Sequence, residues 1–208
     1  MTLRFSRILI YGAHMRALLL ICLTFLPFAL PAGPAHAGTC EDLWYSRNWI
    51  MDRSGYCFGT PLGQTYFDNS DCIGKNVSLT SWDAERVAEL REIEQYQGCK
   101  LNTQSTYLAL DDIQFRRILV EQPSLFEEGE GFLCMGYTGN GVSLLAGPES
   151  NSGVISALEP GDWYRTRHTD IGAWTYIIVT APHSERVTAA GWAMFDPNSG
   201  IQCLAAAG

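Results

Sequence analysis

After residue 37 the chain contains few histidines, the residues first considered for catalysis. Only His168 and His183 lie beyond residue 37. Ser184 directly follows His183, and Asp170 lies two residues after His168. Neighbours in a loop do not form a nucleophile–base–acid triad, because a triad is defined by its geometry. We therefore expect both histidines at the surface and predict no catalytic residue.

Metal ligands are equally hard to find. The stretch from Asp68 to Asp71, DNSD, could offer oxygens to calcium. It lacks the spacing and the distal glutamate of a calcium loop, so an Asx-type turn is the better interpretation. No cysteine occurs in a CxxC or CxxH pattern, which disfavours zinc. We predict no metal and no cofactor.

Aromatic side chains are the best candidates for a binding surface. Five of them lie close together in the C-terminal region: Trp163, Tyr164, Trp174, Tyr176 and Trp192. Alternation along a strand places Trp174 and Tyr176 on one face, where packing in a core is the default. Trp163 and Tyr164 are our candidate ligand-binding residues, as a platform for a sugar or a peptide.

The N-terminus has the features of an export signal. An apolar run over residues 17–30 follows an arginine and precedes the small-x-small sequence AHA, which ends at Ala37. We predict a signal peptide cleaved after Ala37, with an uncleaved membrane anchor as the alternative. Either Met1 or Met15 can be the true start. A soluble protein, periplasmic or secreted, is expected.

The net charge argues against two classes of partner. The chain has 14 basic and 22 acidic residues, a formal charge of −8. The predicted leader contains three of the arginines and no acid, so its removal leaves 11 basic residues and a charge of −11. Nucleic acids and anionic membranes bind clustered lysine and arginine. We expect neither as a partner after signal cleavage.

Six cysteines remain once the leader is removed: Cys40, Cys57, Cys72, Cys99, Cys134 and Cys203. An even number in an exported chain indicates disulfides formed in an oxidising compartment. Cys134 and Cys203 flank the C-terminal region, and we expect a bridge between them to join its two ends.

A helix between Cys40 and Cys57 restricts the pairing of the other four. Its thirteen residues rise about 20 Å, and the four residues that follow can return at most about 13 Å, which nearly excludes a bridge between these two. Pairing of Cys57 with Cys72 and of Cys40 with Cys99 is favoured, because the shorter loop is easier to close. Cys40 with Cys72 and Cys57 with Cys99 remains the alternative.

An arginine and a glutamate each lie on the apolar face of a predicted helix, which indicates that the two side chains pair. Residues 41–53 are predicted to form the first helix, ended by Gly55. Arg47 lies in the middle of its apolar face, and Glu94 lies on the apolar face of the next helix. Because a buried arginine without a carboxylate is strongly destabilising, we predict that Arg47 and Glu94 form a partly buried pair.

Two more helices are predicted before the C-terminal region. A TSWD capping box begins a helix that ends near Gly98, with Trp82 and Leu90 on its apolar face. Residues 108–120 are predicted to form another helix, and a strand over residues 115–120 is the alternative.

From Phe132 onward the pattern changes to short strands separated by glycine and proline turns. An acidic linker, Glu127–Gly131, marks the boundary. A further turn is predicted at Pro197–Gly200. The strands predicted are Val142–Leu145, Val154–Leu158, Trp174–Thr180 and Gly191–Phe195. This pattern predicts a small β-barrel.

Residues 48–58, NWIMDRSGYCF, resemble the YARHG domain, a small module of exported bacterial proteins. Arg53 and Gly55 match two of its five central letters. The surrounding frame also matches: Arg47, Asn48, Ile50, Tyr56, Phe58, Tyr66, Phe67 and Glu94. The resemblance covers about Cys40 to Cys99. It implies an extracytoplasmic module, found beside peptidases, with no established chemistry.

Residues 141–148, GVSLLAGP, followed by GVISAL at 153–158, resemble a bacterial SH3-like domain. Gly191 and Trp192 stand where such domains place a closing Gly-Trp, while SLL replaces the usual Asn-Val-Arg. The resemblance covers about Cys134 to Cys203. It implies an envelope binding module, which in many relatives binds peptidoglycan or peptide stems.

The predicted fold class is α+β, a small helical disulfide-stapled module followed by an SH3-like β-barrel. Its segments are a signal peptide (1–37), a YARHG-like helical module (38–99), a partly helical connection (100–131) and the barrel (132–208). We expect a non-catalytic exported envelope protein that binds peptidoglycan or another envelope protein, or that serves as a scaffold. A cell-wall hydrolase or an inhibitor of one is the alternative, and a purely structural protein is the third.

Overall fold

A computed structural model describes residues 39–124, 131–196 and 200–208. They belong to one compact unit, Ala32–Gly208. The predicted signal peptide, nearly all of the predicted acidic linker and most of the predicted turn at 197–200 lie outside the described residues. Among the helices in those ranges, none has the length and apolar character needed to cross a bilayer.

The first helix, α1 (Thr39–Arg53), is the central element of the N-terminal half. Glu41 and Asp42 lie in its first turn, where carboxylates favour the positive end of the helix dipole. The chain leaves α1 through Gly55, whose φ of 82° is in the left-handed region that glycine adopts readily. Its buried residues point in several directions: Asp42, Leu43, Trp44, Tyr45, Ser46, Asn48 and Ile50. The helix therefore packs against more than one neighbour.

Helix α2 (Pro61–Tyr66) completes an aromatic core around α1. Thr60 caps it by accepting a hydrogen bond from the backbone N–H of Gly63 at 3.2 Å. The rings of Phe58 and Phe67 stack with their centroids 4.7 Å apart. The buried members of this core are Trp44, Tyr45, Phe58, Leu62, Phe67, Leu108 and Leu110. The last two come from the segment that follows the next helix.

Helix α3 (Ser81–Tyr96) packs beside α1. Val87 and Leu90 are buried against Leu43 and Ile50 of α1. Arg47 of α1 reaches across the same contact, with 3.0 Å between its Nε and Oε2 of Glu94 and both side chains less than one-fifth exposed.

The first turn of α3 corrects one prediction. Thr80 caps the helix: its Oγ1 accepts from the backbone N–H of Asp83 at 3.1 Å and donates to Oδ2 of Asp83 at 2.8 Å. This cap turns Asp83 towards α1, where it pairs with Arg53. Trp82 is left 75% exposed, so its predicted place on the buried face is wrong.

The predicted helix over residues 108–120 is also wrong. Only one turn, α4 (Ile113–Arg116), is helical. The backbone N–H of Leu108 donates to the hydroxyl of Tyr66 at 3.0 Å, and that of Val120 donates to the carbonyl of Ala146 at 2.8 Å. Tertiary partners satisfy these groups in place of a continuing helix, and they override helix propensity.

Three disulfides connect these elements: Cys40–Cys99, Cys57–Cys72 and Cys134–Cys203. The first two are the pairs that the loop-closure argument favours. Cys40–Cys99 joins the start of α1 to the chain just after α3, and Cys134–Cys203 joins the first strand to the last.

Seven strands form one antiparallel sheet. They are β1 (Phe132–Tyr137), β2 (Val142–Leu145), β3 (Val154–Leu158), β4 (Trp163–Thr166), β5 (Trp174–Thr180), β6 (Val187–Met194) and β7 (Cys203–Ala207), in the order β3-β2-β6-β5-β4-β1-β7. Within the described ranges β3 and β7 each pair with one neighbour, so the sheet is open. The predicted closed barrel is not confirmed.

The sheet must nevertheless curl. Strands β3 and β4 lie four places apart in the sheet, which is about 19 Å at the usual strand spacing. The chain from Leu158 to Trp163 spans well under its fully extended length of about 18 Å, because it turns where the backbone N–H of Asp162 donates to the carbonyl of Glu159 at 3.1 Å. The sheet therefore bends to bring these strand ends together around one inner core: Cys134, Tyr137, Leu144, Leu158, Tyr164, Ile177, Val179, Ala189 and Ala193.

The outer face of β5 and β6 is covered by the segment around α4. Leu119 packs there with Tyr176, Ile178, Ala190 and Trp192, which are all buried. Trp174 packs against the same cluster as Tyr176, as strand alternation predicts. Residues 98–124 thus contribute to the helical core on one side and to the sheet on the other.

Leu90→Ala tests the packing of α3 on α1. Leu90 is 1% exposed, so its truncation leaves a cavity and should lower the free energy of unfolding by about 3 kcal/mol. Trp82→Ala, on the same helix, should change it by less than about 1 kcal/mol. Urea unfolding with the disulfides intact measures both. Equal losses in the two variants would contradict this packing.

Candidate functional site

Five polar side chains from distant parts of the chain form a buried network beneath the surface. Each is at most 6% exposed. Asp42 and Ser46 come from α1, Arg116 from α4, Gln122 from the segment after α4, and His168 from the chain that follows β4. We call this set the buried network.

Asp42 and Arg116 form its ion pair. Nη2 of Arg116 donates to Oδ1 of Asp42 at 2.7 Å and to Oγ of Ser46 at 2.8 Å. Nε of Arg116 donates to Oε1 of Gln122 at 2.7 Å. Burial alone would raise the pKa of Asp42, but Arg116, His168 and Arg167 together outweigh it and hold that pKa well below its usual range. The aspartate is therefore ionised in the interior.

His168 is the second partner of Asp42. Its Nε2 lies 2.8 Å from Oδ2 of Asp42 and 3.4 Å from Nη1 of Arg116. Only a protonated Nε2 can donate to the carboxylate, so the contact with Arg116 is not a hydrogen bond. Nδ1 is buried without a partner, which disfavours a second proton. Burial accordingly lowers the pKa of His168 and keeps it neutral.

A second carboxylate completes the surroundings of Arg116. Asp112 is fully buried, and its Oδ2 accepts from the hydroxyl of Tyr176 at 2.9 Å. The same oxygen lies 3.9 Å from Nη1 of Arg116. The rings of Tyr45 and Tyr176 lie 5.8 and 5.7 Å from the guanidinium carbon. The arginine is thus enclosed by both halves of the protein.

The expectation of a surface position for His168 is wrong. It is 0% exposed, because the chain after β4 turns it inward onto Asp42. His183 is exposed, as expected, and its ring lies 4.7 Å from that of Trp163. The pair formed by His168 and Asp42 resembles the base and acid of a triad, but it is closed to solvent. This geometry supports folding rather than attack on a substrate.

A surface groove of about 810 Å³ lies directly above this network. We call it the tryptophan groove. Four segments line it: α1 with Ser46, Trp49, Ile50 and Arg53; α3 with Trp82, Asp83, Arg86, Glu89 and Leu90; residues 121–124; and residues 169–172. Ser46 and Gln122 belong to both the groove and the buried network, so the network forms part of the groove floor.

Two tryptophans give the groove its apolar surface. The guanidinium carbon of Arg53 lies 4.4 Å from the ring centre of Trp49, a cation–π contact. Trp82 is 75% exposed. Ile171, at 40% exposure, adds an apolar side chain from the facing loop. A large exposed aromatic beside a groove is typical of a binding surface.

More acidic than basic side chains line the groove. Arg53 pairs with Asp83, and Arg86 pairs with Glu89. Two more carboxylates, those of Glu121 and Asp170, line the groove. Burial raises the pKa of Glu121. The lining residues therefore have a net charge of −2, with both arginines already in ion pairs.

The candidate ligand-binding residues of the sheet lie on opposite faces. Trp163 lines a smaller cavity of about 450 Å³ with Arg165, Arg167 and His183. Tyr164 is 8% exposed and stacks on Phe195 in the inner core. Alternation along β4 imposes this difference. Tyr164 therefore cannot serve as a platform, and the larger groove lies elsewhere.

The acidic stretch DNSD forms a turn. Asp68 accepts from the backbone N–H of Ser70 at 2.8 Å and from its hydroxyl at 2.7 Å. The side chain of Asn69 makes two hydrogen bonds of 2.8 Å to the backbone of Phe58: its Oδ1 accepts from the N–H, and its Nδ2 donates to the carbonyl. Across the described part of the chain, no three His, Cys, Asp or Glu side chains are grouped to hold a metal ion.

Sequence patterns did not identify the residues of the network and the groove. In the sequence, Asp42 looks like an ordinary acidic residue in the first turn of a helix. Arg116 looks like a residue on a helix surface that pairs with Asp112. Trp82 fits an apolar stripe. The one available signal was the sequence around Arg116, in which two arginines lie between Phe115 and the apolar residues at 118–120.

Comparison with known families adds two matches. The YARHG domain matches residues 28–95, which confirms that resemblance. A domain of unknown function, DUF4453, matches residues 98–208, more than half of the chain. This second match does not show the SH3-like domain predicted there. Searches among curated proteins and among solved structures found no match.

Arg116→Met tests the buried network. The substitution leaves Asp42 buried without its cation and should lower the free energy of unfolding by about 3–5 kcal/mol. Arg47→Met removes a more exposed pair and should reduce it by about 1 kcal/mol. Adding Asp42→Asn to Arg116→Met should restore part of the loss. Chemical unfolding followed by fluorescence and circular dichroism measures each; an Arg116→Met loss below 1 kcal/mol would refute the network's role.

His168→Gln tests the neutral histidine. A pKa lowered by folding means that the unfolded chain takes up the proton first, so this stability is present above about pH 6.5 and is lost as the pH falls. The wild type should therefore lose more unfolding free energy than His168→Gln between pH 7.5 and 5.5. Glutamine keeps an N–H that can donate to Asp42.

Comparing the wild type with His168→Gln isolates the contribution of His168 to the pH dependence of stability. Burial, with help from Asp71 and Asp68, raises the pKa of Asp52 to about 6, so Asp52 stabilises the fold as the pH falls. This opposite effect is present in both proteins and cancels. Parallel pH profiles in the two proteins would show that His168 does not titrate as stated.

Proposed function

Because the chain belongs to the DUF4453 family and carries a YARHG domain, we propose that it is a non-catalytic exported protein that binds another component of the bacterial envelope. The tryptophan groove is the binding site. The three disulfides and the YARHG domain are consistent with an extracellular location. Export through a signal peptide over residues 1–37, cleaved after Ala37, is part of this proposal.

The exposure of Trp82 is the observation that carries the proposal. Tryptophan is enriched among the residues that dominate binding interfaces, because it buries a large apolar area with little loss of conformational freedom. Here it stands 75% exposed at the edge of the tryptophan groove, and a rigid helix with a side-chain cap holds it there.

The YARHG motif contributes directly to this groove. Arg53 and Gly55 are the two positions that match the motif. Gly55 turns the chain after α1, and Arg53 lies in the groove wall between Trp49 and Asp83. The motif residues thus shape a surface, which supports binding as the role of this module.

The position of His168 supports a non-catalytic role over a cell-wall hydrolase. A general base must reach the proton that it removes, within hydrogen-bond distance or through one water. His168 and Asp42 are both buried and are hydrogen-bonded to one another. A substrate in the groove meets Ser46 and Gln122 of the network before it could reach the imidazole.

Affinity capture from envelope extract tests this function. Wild-type protein, Trp82→Ala and Tyr96→Ala are immobilised in parallel and the retained components are compared. Tyr96 is a matched control, since it is 74% exposed on the same helix and lies outside the groove lining. Trp82→Ala should retain at least tenfold less of the specific component, while Tyr96→Ala retains as much as the wild type.

Two results would refute the proposal. Equal capture by Trp82→Ala and wild type would remove the groove as the site. Hydrolysis of purified peptidoglycan by the wild type, abolished in His168→Gln, would restore the hydrolase. Matching thermal unfolding of the variants confirms that each is folded.

A further inference from the structure

The cations of the tryptophan groove are already occupied. Arg53 contacts Asp83 and the ring of Trp49, and Arg86 contacts Glu89 and the hydroxyl of Ser124. An anionic ligand would therefore compete with a carboxylate that already neutralises each arginine. That competition disfavours carboxylates and phosphates in this groove.

The carboxylates of the groove are not all neutralised. Among the described residues, Glu121 and Asp170 form no salt bridge, while both line the groove. Glu121 is partly buried, and burial raises its pKa in spite of the nearby charges of Arg53 and Arg86, so its ionised form is only partly compensated. A cation supplied by a ligand would relieve this cost.

Trp82 offers the aromatic face that such a cation needs. A lysine or arginine over an indole ring is attracted by the ring's negative face, and tryptophan is the strongest of the aromatic partners. The groove already contains one such contact, that of Arg53 over Trp49 at 4.4 Å. Ile171, on the facing loop, provides apolar contact for the aliphatic part of the incoming side chain.

The net charge of the whole protein also favours a basic ligand. A formal charge of −8 attracts basic partners and repels acidic ones over long range. Peptidoglycan stems carry free carboxylates, which the groove and the protein both repel. A protein with exposed lysine and arginine fits both conditions.

From these features we infer that the occupant of the tryptophan groove is a basic segment of a partner protein, with a lysine or arginine placed between Trp82 and the carboxylates of Glu121 and Asp170. Apolar residues flank that cation and contact Trp82 and Ile171. The inference rests on the proposed function and identifies the class of partner.

Selection from a random peptide library displayed on phage tests this inference. The full disulfide-bonded chain is the bait. Selected peptides should be enriched in lysine and arginine next to apolar residues. Binding of the best synthetic peptide, measured by fluorescence anisotropy, should weaken at least tenfold in Glu121→Gln/Asp170→Asn and less than twofold in Glu149→Gln. Glu149 is an exposed acid outside the groove lining.

The dependence of peptide binding on salt concentration is a second, independent test. Raising the ionic strength from 50 to 500 mM should weaken peptide binding to the wild type more than to the double variant, because screening acts on the charge that the variant lacks. Selection without basic enrichment, failure to select any peptide, or unchanged affinity in the double variant would overturn the inference. Tighter binding of a purified muropeptide mixture than of the best peptide would overturn it as well.

The two proposals fail separately. If the double variant captures the envelope component as well as the wild type while Trp82→Ala does not, the groove binds its partner without the carboxylates, and only the basic segment is refuted. If Trp82→Ala also captures it fully, the groove itself is not the site.

Discussion

The buried charge of Asp42 is the constraint on which the rest of the structure depends. A lone carboxylate in the interior would be strongly destabilising, so the chain must bring it a cation and a hydrogen-bond donor. Arg116 and His168 supply them, across 74 and 126 positions of sequence. Helix α1 cannot keep its place unless α4 and the chain after β4 reach theirs, which links the helices to the sheet.

This link explains why two family matches form one compact unit. The YARHG match ends at residue 95 and the DUF4453 match begins at residue 98. The cores do not divide there, because Leu108 and Leu110 pack among the aromatic residues of α1 and α2, while Leu119 packs on the sheet. The segment after α3 belongs to both, so neither match corresponds to a separate packing unit.

The same network supports the surface above it. Ser46 and Gln122 are fixed by hydrogen bonds to Arg116 and form part of the floor of the tryptophan groove. One helix, α1, therefore carries Asp42 inward and presents Trp49 and Arg53 to the groove. The proposed binding surface is thus preorganised by a buried ion network, which would reduce the entropy lost if a partner binds there.

Local sequence determined much of the architecture. The glycine after α1, the Thr80 cap, the turn at Asp68, the strand bounds of β2, β3 and β5, and the pairing of Arg47 with Glu94 all follow from contacts within one or two neighbouring elements. Only the tertiary structure decided the rest. It reduced the helix expected over residues 108–120 to one turn, kept the sheet open, exposed Trp82 and buried His168. Those outcomes depend on partners far away along the chain, and periodicity and spacing carry no information about which distant side chains will meet.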